Sequence, residues 1–530
     1  DRPRTEAVFR ENDYESPLTY LRESGLRTQI PLVHTVTGNA AYQLGQHDEL
    51  SLDALYSQRR EWETFGVLYH TLDTTFALTN ATDRHSKDVN HEGSAEGALE
   101  YKHGFAAKGH TLTSELRFEE HFEGGPTDIL EHALSPAGTP AAATLQETQT
   151  AWTHSSTTSL KADYVRPLGG ALKLETGYKG SLQRIRTTMD VQAYDFARAA
   201  YLTDSTQASN FAYDQLVNAG YGMVDAQFGK VQLQGGVRVE HAATTFDLRT
   251  RNQRYDNPYS SIFPSGLVAY SLDDAHQVKL SYSTRIRRPD DGDVLDPTPH
   301  ALDPLNISVG NPYLQPEYIR ALELGFQRTG EHVTMQLTPF YRHTLDAVRS
   351  IRTIDTNGVA TRTFANIATS DAWGMDATVA LGGGSRLSGF LGGSAYRQQS
   401  NASNLDPTLS TRTFGWSIRS NAAYRVSPTI DAQALVAYVA PMTLEQGWNA
   451  ARTRISAAIR DKLVGDRLSL TLRITDPFRM ARERSITNDP RFYQVSDRTR
   501  SARGLLLSAS WTFGKPPKKG RDQIDLNETP

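Results

Sequence analysis

The chain has 530 residues, with 56 Lys and Arg against 60 Asp and Glu for a formal net charge of −4. It contains no cysteine, which removes disulfide frameworks, thiolate metal sites and cysteine nucleophiles together. Mean hydropathy is −0.50, and no window holds the roughly 18 consecutive apolar residues of a spanning helix, so a helical membrane protein is excluded. A sheet with one greasy and one polar face also averages to mild polarity, so the mean does not exclude a membrane barrel.

The opening Asp1-Arg2-Pro3-Arg4 has no basic-then-apolar start, so an exported chain would here be mature, processed or truncated. Residues 1–30 are poorly patterned, and Thr5 to Arg10 is the one stretch there that fits a strand. From about residue 31 to residue 513 a two-residue rhythm takes over. Leu50, Leu52, Ala54 and Tyr56 alternate with Ser51, Asp53 and Ser57, and only Leu55 breaks step. Leu172, Leu174 and Tyr178 alternate with Lys173, Glu175 and Lys179. Val231, Leu233, Val237 and Val239 alternate with Gln232, Gln234, Arg238 and Glu240. Val278, Leu280 and Tyr282 oppose Lys279, Ser281, Ser283 and Arg285, and Leu468, Leu470, Leu472 and Ile474 oppose Arg467, Ser469, Thr471 and Arg473. Successive side chains of a strand point to opposite faces, so each segment has one apolar and one charged face.

A soluble sandwich alternates in the same way; the connections separate the two. Tight turns recur at Gln46-His47, Ala106-Ala107, Gly169-Gly170, Gly229, Asp273-Asp274, Gly330, Gly382 to Gly384, Ser427-Pro428 and Gly465. Between them stand longer polar stretches, read as loops at 122–146, 189–208, 248–258, 288–316, 343–370, 397–412, 440–448 and 476–495. Short and long connections in alternation are the mark of a membrane barrel with brief periplasmic turns and extended outer loops. The fold class expected is therefore all-β, a large antiparallel transmembrane β-barrel. Nine hairpins and a last strand, Leu505 to Phe513, give about 19 strands. Bacterial single-chain barrels have even numbers, so a further strand must come from residues 1–30 or be missing. The organisation expected is a poorly patterned segment at 1–30, a barrel at 31–513 and a polar periplasmic tail at 514–530.

Two stretches are more specific. Leu280-Ser281-Tyr282-Ser283-Thr284-Arg285-Ile286-Arg287-Arg288-Pro289 is followed by Gly310-Asn311-Pro312-Tyr313-Leu314-Gln315-Pro316-Glu317 and Leu322-Glu323-Leu324-Gly325. The set resembles the SYS-R-I-RP, GNP-L-PE and ELG signature of TonB-dependent outer-membrane receptors, in the branch of outer-membrane β-barrel family proteins. Asp163 to Leu168 with Leu174 to Lys179, Gly235 to Glu240, Phe263-Pro264-Ser265 and Asp476-Pro477-Phe478 resemble further pieces of that branch, in order, over about residues 30–520. The resemblance implies a 22-stranded barrel in the bacterial outer membrane and uptake of a nutrient such as an iron–siderophore complex, cobalamin or an oligosaccharide. It implies as partners the membrane lipid, the solute, the barrel-assembly machinery, and the TonB–ExbB–ExbD system acting through a plug. Nothing in these 530 residues matches a plug, and roughly the first three strands are also expected to be absent. The rival reading is a passive channel or structural barrel not coupled to TonB.

By parity Arg285 and Arg287 share the lumen face with Lys279, and with Arg288 they are candidates for ligand or plug contact, or else plain polar lining. Gly310, Asn311, Pro312, Leu314, Pro316 and Glu317 form the outer-loop motif. Pro289, Pro297, Pro299, Pro304, Pro312 and Pro316 stiffen the stretch around them, because proline cannot donate to a ladder. The histidines are dispersed without compact ligand spacing, and no nucleophile elbow or paired carboxylates stand out. No enzyme activity, cofactor, metal or nucleic-acid partner is expected.

Overall fold

The computed structural model describes residues 4–13, 17–135, 138–289, 305–382, 386–464, 467–499 and 503–513. They form one sheet of 26 strand segments without an α-helix. The first are β1 (Arg4–Asn12), β2 (Thr19–Gln43), β3 (Asp48–Leu72), β4 (Leu78–Gly104), β5 (Thr111–Leu134), β6 (Pro140–Gly169) and β7 (Leu172–Asp195). The short β8 (Ala200–Thr203) precedes β9 (Ser209–Phe228), β10 (Val231–Leu248), β11 (Gln253–Ser271) and β12 (His276–Arg287). Next come β13 (Asn306–Ser308), β14 (Glu317–Thr329), β15 (Val333–Ile354), β16 (Ala360–Leu381), β17 (Leu387–Asn401) and β18 (Thr411–Arg425). The last are β19 (Ile430–Val439), β20 (Met442–Leu444), β21 (Gly447–Asn449), β22 (Arg452–Leu463), β23 (Leu468–Thr475), β24 (Arg482–Asp489), β25 (Phe492–Thr499) and β26 (Gly504–Trp511).

Each long strand pairs antiparallel with its chain neighbour, so the sheet curls as an up-and-down ring. β1 pairs with β2 on one side and β25 on the other, which closes the ring at its outer end. Residues 5–10 thus lie in a ring strand, and β2 begins at Thr19, well before residue 31. Among the described residues, β2 beyond Arg27 and all of β26 have a ladder partner on one side only.

The nine sequence turns all fall between strands at the inner end of the ring; Gly383, Gly384 and Gly465 themselves lie outside the described residues, as does the tail from Gly514. The apolar face of the alternation points outward there: Leu172, Leu233 and Leu280 are 37 %, 39 % and 47 % exposed, while the polar partners Lys173 and Arg238 stand on the opposite face. Apolar side chains turned out and charged ones turned in are the inverse of a soluble fold, and fit an apolar band about 25 Å tall.

The outer connections correct the sequence reading. Residues 122–134 belong to β5, 140–146 to β6, 343–354 to β15 and 360–370 to β16. The stretch 476–495 holds the hairpin of β24 and β25. A spanning strand needs about 9–11 residues, and β6 has 30, so the sheet continues well past the membrane. Backbone groups still demand partners there, and the ladder supplies them although the lipid-facing rhythm has ended. Gly124-Gly125 looks like a turn but lies within β5. A Cβ on Gly124 would come 2.1 Å from the Ala151 carbonyl oxygen, and one on Gly125 1.9 Å from that of Val89. The pair marks close strand approach.

In this outer part apolar clusters gather on the lumen face, among buried polar residues such as Glu23, Glu61, Glu147 and Gln215. Leu21, Phe65, Val67 and Tyr69 form one buried cluster, and Ile185, Phe211, Tyr213, Phe246 and Leu248 another. By register these residues share the face of Asp53, Lys173 and Glu240.

Candidate functional site

Sequence parity and ladder register agree at the top of β12. Arg285 and Arg287 are partners of Ile319 and Glu317 on β14, on the same face as Lys279. The Arg287 guanidinium is ion-paired with Glu317. Glu317 is almost fully buried; it also accepts the Val348 N–H at 2.5 Å and lies 4.0 Å from Arg349. Arg349 in turn donates to Glu445 at 3.0 Å and to the Ser370 hydroxyl at 3.2 Å. Arg288 pairs with Glu240 and donates to the Tyr259 hydroxyl at 2.8 Å. Glu240 also takes the Arg238 Nε–H at 2.6 Å. Two buried carboxylates are thereby held by four guanidinium groups through charge-assisted contacts.

Arg287 and Arg288 reach different carboxylates, Glu317 and Glu240, and Lys279 stands apart, deeper on the same strand, its stem in the space left by Gly325. Among the described residues neither Lys279 nor Arg285 has an ion pair, and Arg285 is exposed. Arg287 and Arg288 are committed to carboxylates of the chain.

The GNP motif does not project as a loop. Gly310, Leu314, Pro316 and Glu317 are buried. The Asn311 amide donates to the Phe364 carbonyl at 2.9 Å, and its oxygen accepts the Tyr313 N–H at 3.0 Å. Asn366 clamps the segment from β16, accepting the Gln315 N–H at 2.9 Å and donating to the Gln315 and Asp346 carbonyls at 2.9 and 2.6 Å. Asp346 is left-handed, at φ 54°, and interrupts the β15–β16 register, where pairing steps from Leu345 to Ala347. Pro312, Leu314 and Pro316 face Phe246, Tyr255 and Arg288 across a cavity of about 40 Å³, and the Tyr313 and Tyr255 hydroxyls meet at 3.0 Å. The prolines at 297, 299 and 304 and Asp290, Asp291 and Asp293 lie outside the described residues.

The other end of this segment reaches the far side of the ring. β13 lies parallel to residues 360–362 of β16. Asn306 donates to Glu23 of β2 at 2.9 Å and accepts from Gln494 of β25 at 3.3 Å. Leu305 packs on the Leu21 cluster, and Arg10 of β1 donates to the Leu305 carbonyl at 3.3 Å and to that of Gly358 at 2.8 Å. Gln446 ties the tip of β15 to the β20–β21 turn through the Arg352 backbone. Residues 305–316 and the β15–β16 tip therefore cross the outer mouth. Arg352, at that tip outside the membrane, is held down to about 10 by burial, with Arg362, Arg498 and Arg10 adding to the effect.

Sequence reasoning missed Tyr259, Arg349, Glu445, Asn366 and Arg352 as site residues. Glu240 had a signal, since it shares a face with Arg238 in a strand already singled out. The others come from strands remote in sequence, and no spacing rule links them to Arg287.

Among the described residues no three His, Asp or Glu gather in metal-binding range. A family model described as outer membrane protein beta-barrel family matches residues 103–511. No curated protein sequence matches the chain. Among solved structures, the chain is similar to one titled copper transporter OprC, at TM-score 0.54 and 12 % identity, over 94 % of this chain and 80 % of that one. It is similar to the siderophore receptor PiuA from Acinetobacter baumannii, at TM-score 0.53 and 12 % identity, over 94 % and 81 %. The ferric yersiniabactin uptake receptor FyuA from Yersinia pestis aligns at TM-score 0.51 and 13 % identity, over 94 % and 80 %. Identities this low establish a shared fold.

Proposed function

This chain belongs to the outer membrane protein beta-barrel family, and from that premise we propose that it is the barrel of a receptor for TonB-dependent uptake of a scarce nutrient. It resides in the bacterial outer membrane. The solute classes that fit are an iron–siderophore complex, cobalamin or an oligosaccharide, and the names of the similar structures favour a metal complex. The observation that carries the reading is the crossed mouth. A passive pore has a polar, water-filled lumen, whereas here Phe211, Tyr213, Phe246 and Leu248 turn inward and residues 305–316 span the opening. A solute must pass this crossing segment and the apolar wall beside it, and selective passage of that kind calls for binding energy and a driving force.

In this mechanism Arg285 and Lys279 contact the ligand or a plug, while the Glu317 and Glu240 clusters fix the wall beside them. Lumen charges of this kind hold a plug by ion pairs that a transducer can break one at a time. The transducer is the TonB–ExbB–ExbD system, and the last strand, β26, with Phe513 just beyond it, is the handle for the assembly machinery. The test is uptake of radiolabelled ferric siderophore, cobalamin and oligosaccharide by cells in which this gene product is the sole receptor. Uptake of one of them, abolished by a protonophore or by loss of TonB, is the expected result. Uptake indifferent to both identifies a passive channel and overturns the reading.

A further inference from the structure

The outer wall of the ring carries a feature that transport does not use. Across five adjacent ladders, Thr284, Arg320, His343, Asp371, Gln399 and Arg412 are successive partners in one row. The next row toward the membrane is Tyr282, Leu322, Tyr341, Trp373, Arg397 and Phe414. Both share the outward face of Leu280 and Leu324, and Tyr282, Tyr341, Trp373 and Phe414 are all exposed. The aromatic row is the interfacial girdle at the upper edge of the apolar band, so the row above it stands at headgroup height.

Charge at that height is unbalanced. Asp371 accepts from the Tyr341 hydroxyl at 2.7 Å and from His343 at 2.8 Å. Arg320, Arg397 and Arg412 are exposed, and among the described residues none has a carboxylate within 4 Å. Arg397 and Arg412 are diagonal neighbours on β17 and β18, about 7–8 Å apart at Cα, close enough for two planar forks to share one anion. Phe414 and Trp373 lie beside and below them, offering apolar surface to acyl chains.

We propose that Arg397 and Arg412 bind the phosphate of an outer-leaflet lipid headgroup. Guanidinium forks match phosphate oxygens in pairs, and the site faces the bilayer rather than the lumen, so its occupant is lipid. The proposal rests on the membrane placement alone and is independent of the import reading.

The experiment uses the whole chain folded in detergent, titrated with mixed micelles of diphosphorylated lipid A or of the same lipid after enzymatic dephosphorylation. Unfolding is followed by the heat-dependent gel shift of the folded barrel. The phosphorylated lipid should raise the unfolding temperature and the dephosphorylated lipid should not. The double variant R397Q/R412Q, outward-facing and free of ion pairs, should need at least tenfold more lipid for the same rise, and R397K/R412K should recover part of it. Equal stabilisation by both lipids, or unchanged binding by R397Q/R412Q in a sample the gel shift shows to be folded, overturns the proposal. So would occupancy of this wall by a second copy of the chain, seen as a dimer indifferent to lipid phosphate.

Discussion

Within one strand, β3, the membrane belt and the outer extension obey opposite rules. From Leu50 to Tyr56 the even positions are apolar and face outward, and the odd positions, such as Ser51 and Asp53, face the lumen. From Phe65 to Tyr69 the buried apolar residues are odd and face the lumen. The alternation is the same; the side that is dry has changed. In the belt, lipid lies outside and water inside. Above it water lies outside, so apolar area is removed from water only by packing it inward. The crossed mouth follows from that reversal.

The comparison breaks first in the outer half. Phe211 is 1 % exposed, and truncating such an aromatic removes roughly 3–5 kcal/mol. Phe211→Ala should open the outer cluster to protease on intact cells while the belt fragment stays protected; cleavage spread equally over both halves would refute the division. A charge in the belt comes next. Val237→Arg, midway along the belt part of β10 and outward-facing, should destabilise the barrel by about 2–4 kcal/mol, and arginine in place of the outward-facing Leu68 of the outer extension should cost almost nothing. The two are compared by urea unfolding in lipid vesicles, and equal costs would contradict the account.

How much of this was legible in the sequence follows from the same physics. Lipid demands a strict apolar face, so the belt strands and the tight turns, from Gln46-His47 to Ser427-Pro428, could be read from alternation alone. Above the membrane that demand stops. Residues 122–134 and 343–354 then look like loops, although the hydrogen-bond ladder runs on through them. The face of Arg285 and Arg287 was readable from parity. The partners of Arg287 were not, since Glu317 lies beyond a long connection and Arg349 and Glu445 come from strand β15 and the β20–β21 turn. The strap formed by residues 305–316 was visible as a proline-rich motif, yet its course across the mouth depends on Asn366 and Asn306, which no local pattern marks.

Smaller effects sharpen the picture. Asn366→Ala removes the clamp on the strap and should cost about 1–3 kcal/mol, seen as faster amide hydrogen exchange at 311–316 with the belt unchanged. Exchange rising in the belt as well would show that strap and belt are not separable. The smallest effect lies at the inner edge, where the turn carboxylate of Asp273 is held below its ordinary value by the Ala275 N–H and by His276. A depressed folded value means that the stabilisation is present above the unfolded carboxylate value, about 4, and is lost as pH falls through the folded value. Acidification below about pH 4 should loosen the 272–275 turn, read by amide exchange, and Asp273→Asn should abolish the dependence.

The reversal itself is tested most directly by placing single cysteines, one at a time, along β3 of this cysteine-free chain and labelling each with a fluorophore. Labels at Leu50, Leu52, Ala54 and Tyr56 should be quenched by a lipid-borne quencher and not by a water-soluble one, while labels at Phe65, Val67 and Tyr69 should be shielded from both. Free access of the water-soluble quencher to positions 65, 67 and 69, or shielding of 50, 52, 54 and 56 from lipid, would contradict the account.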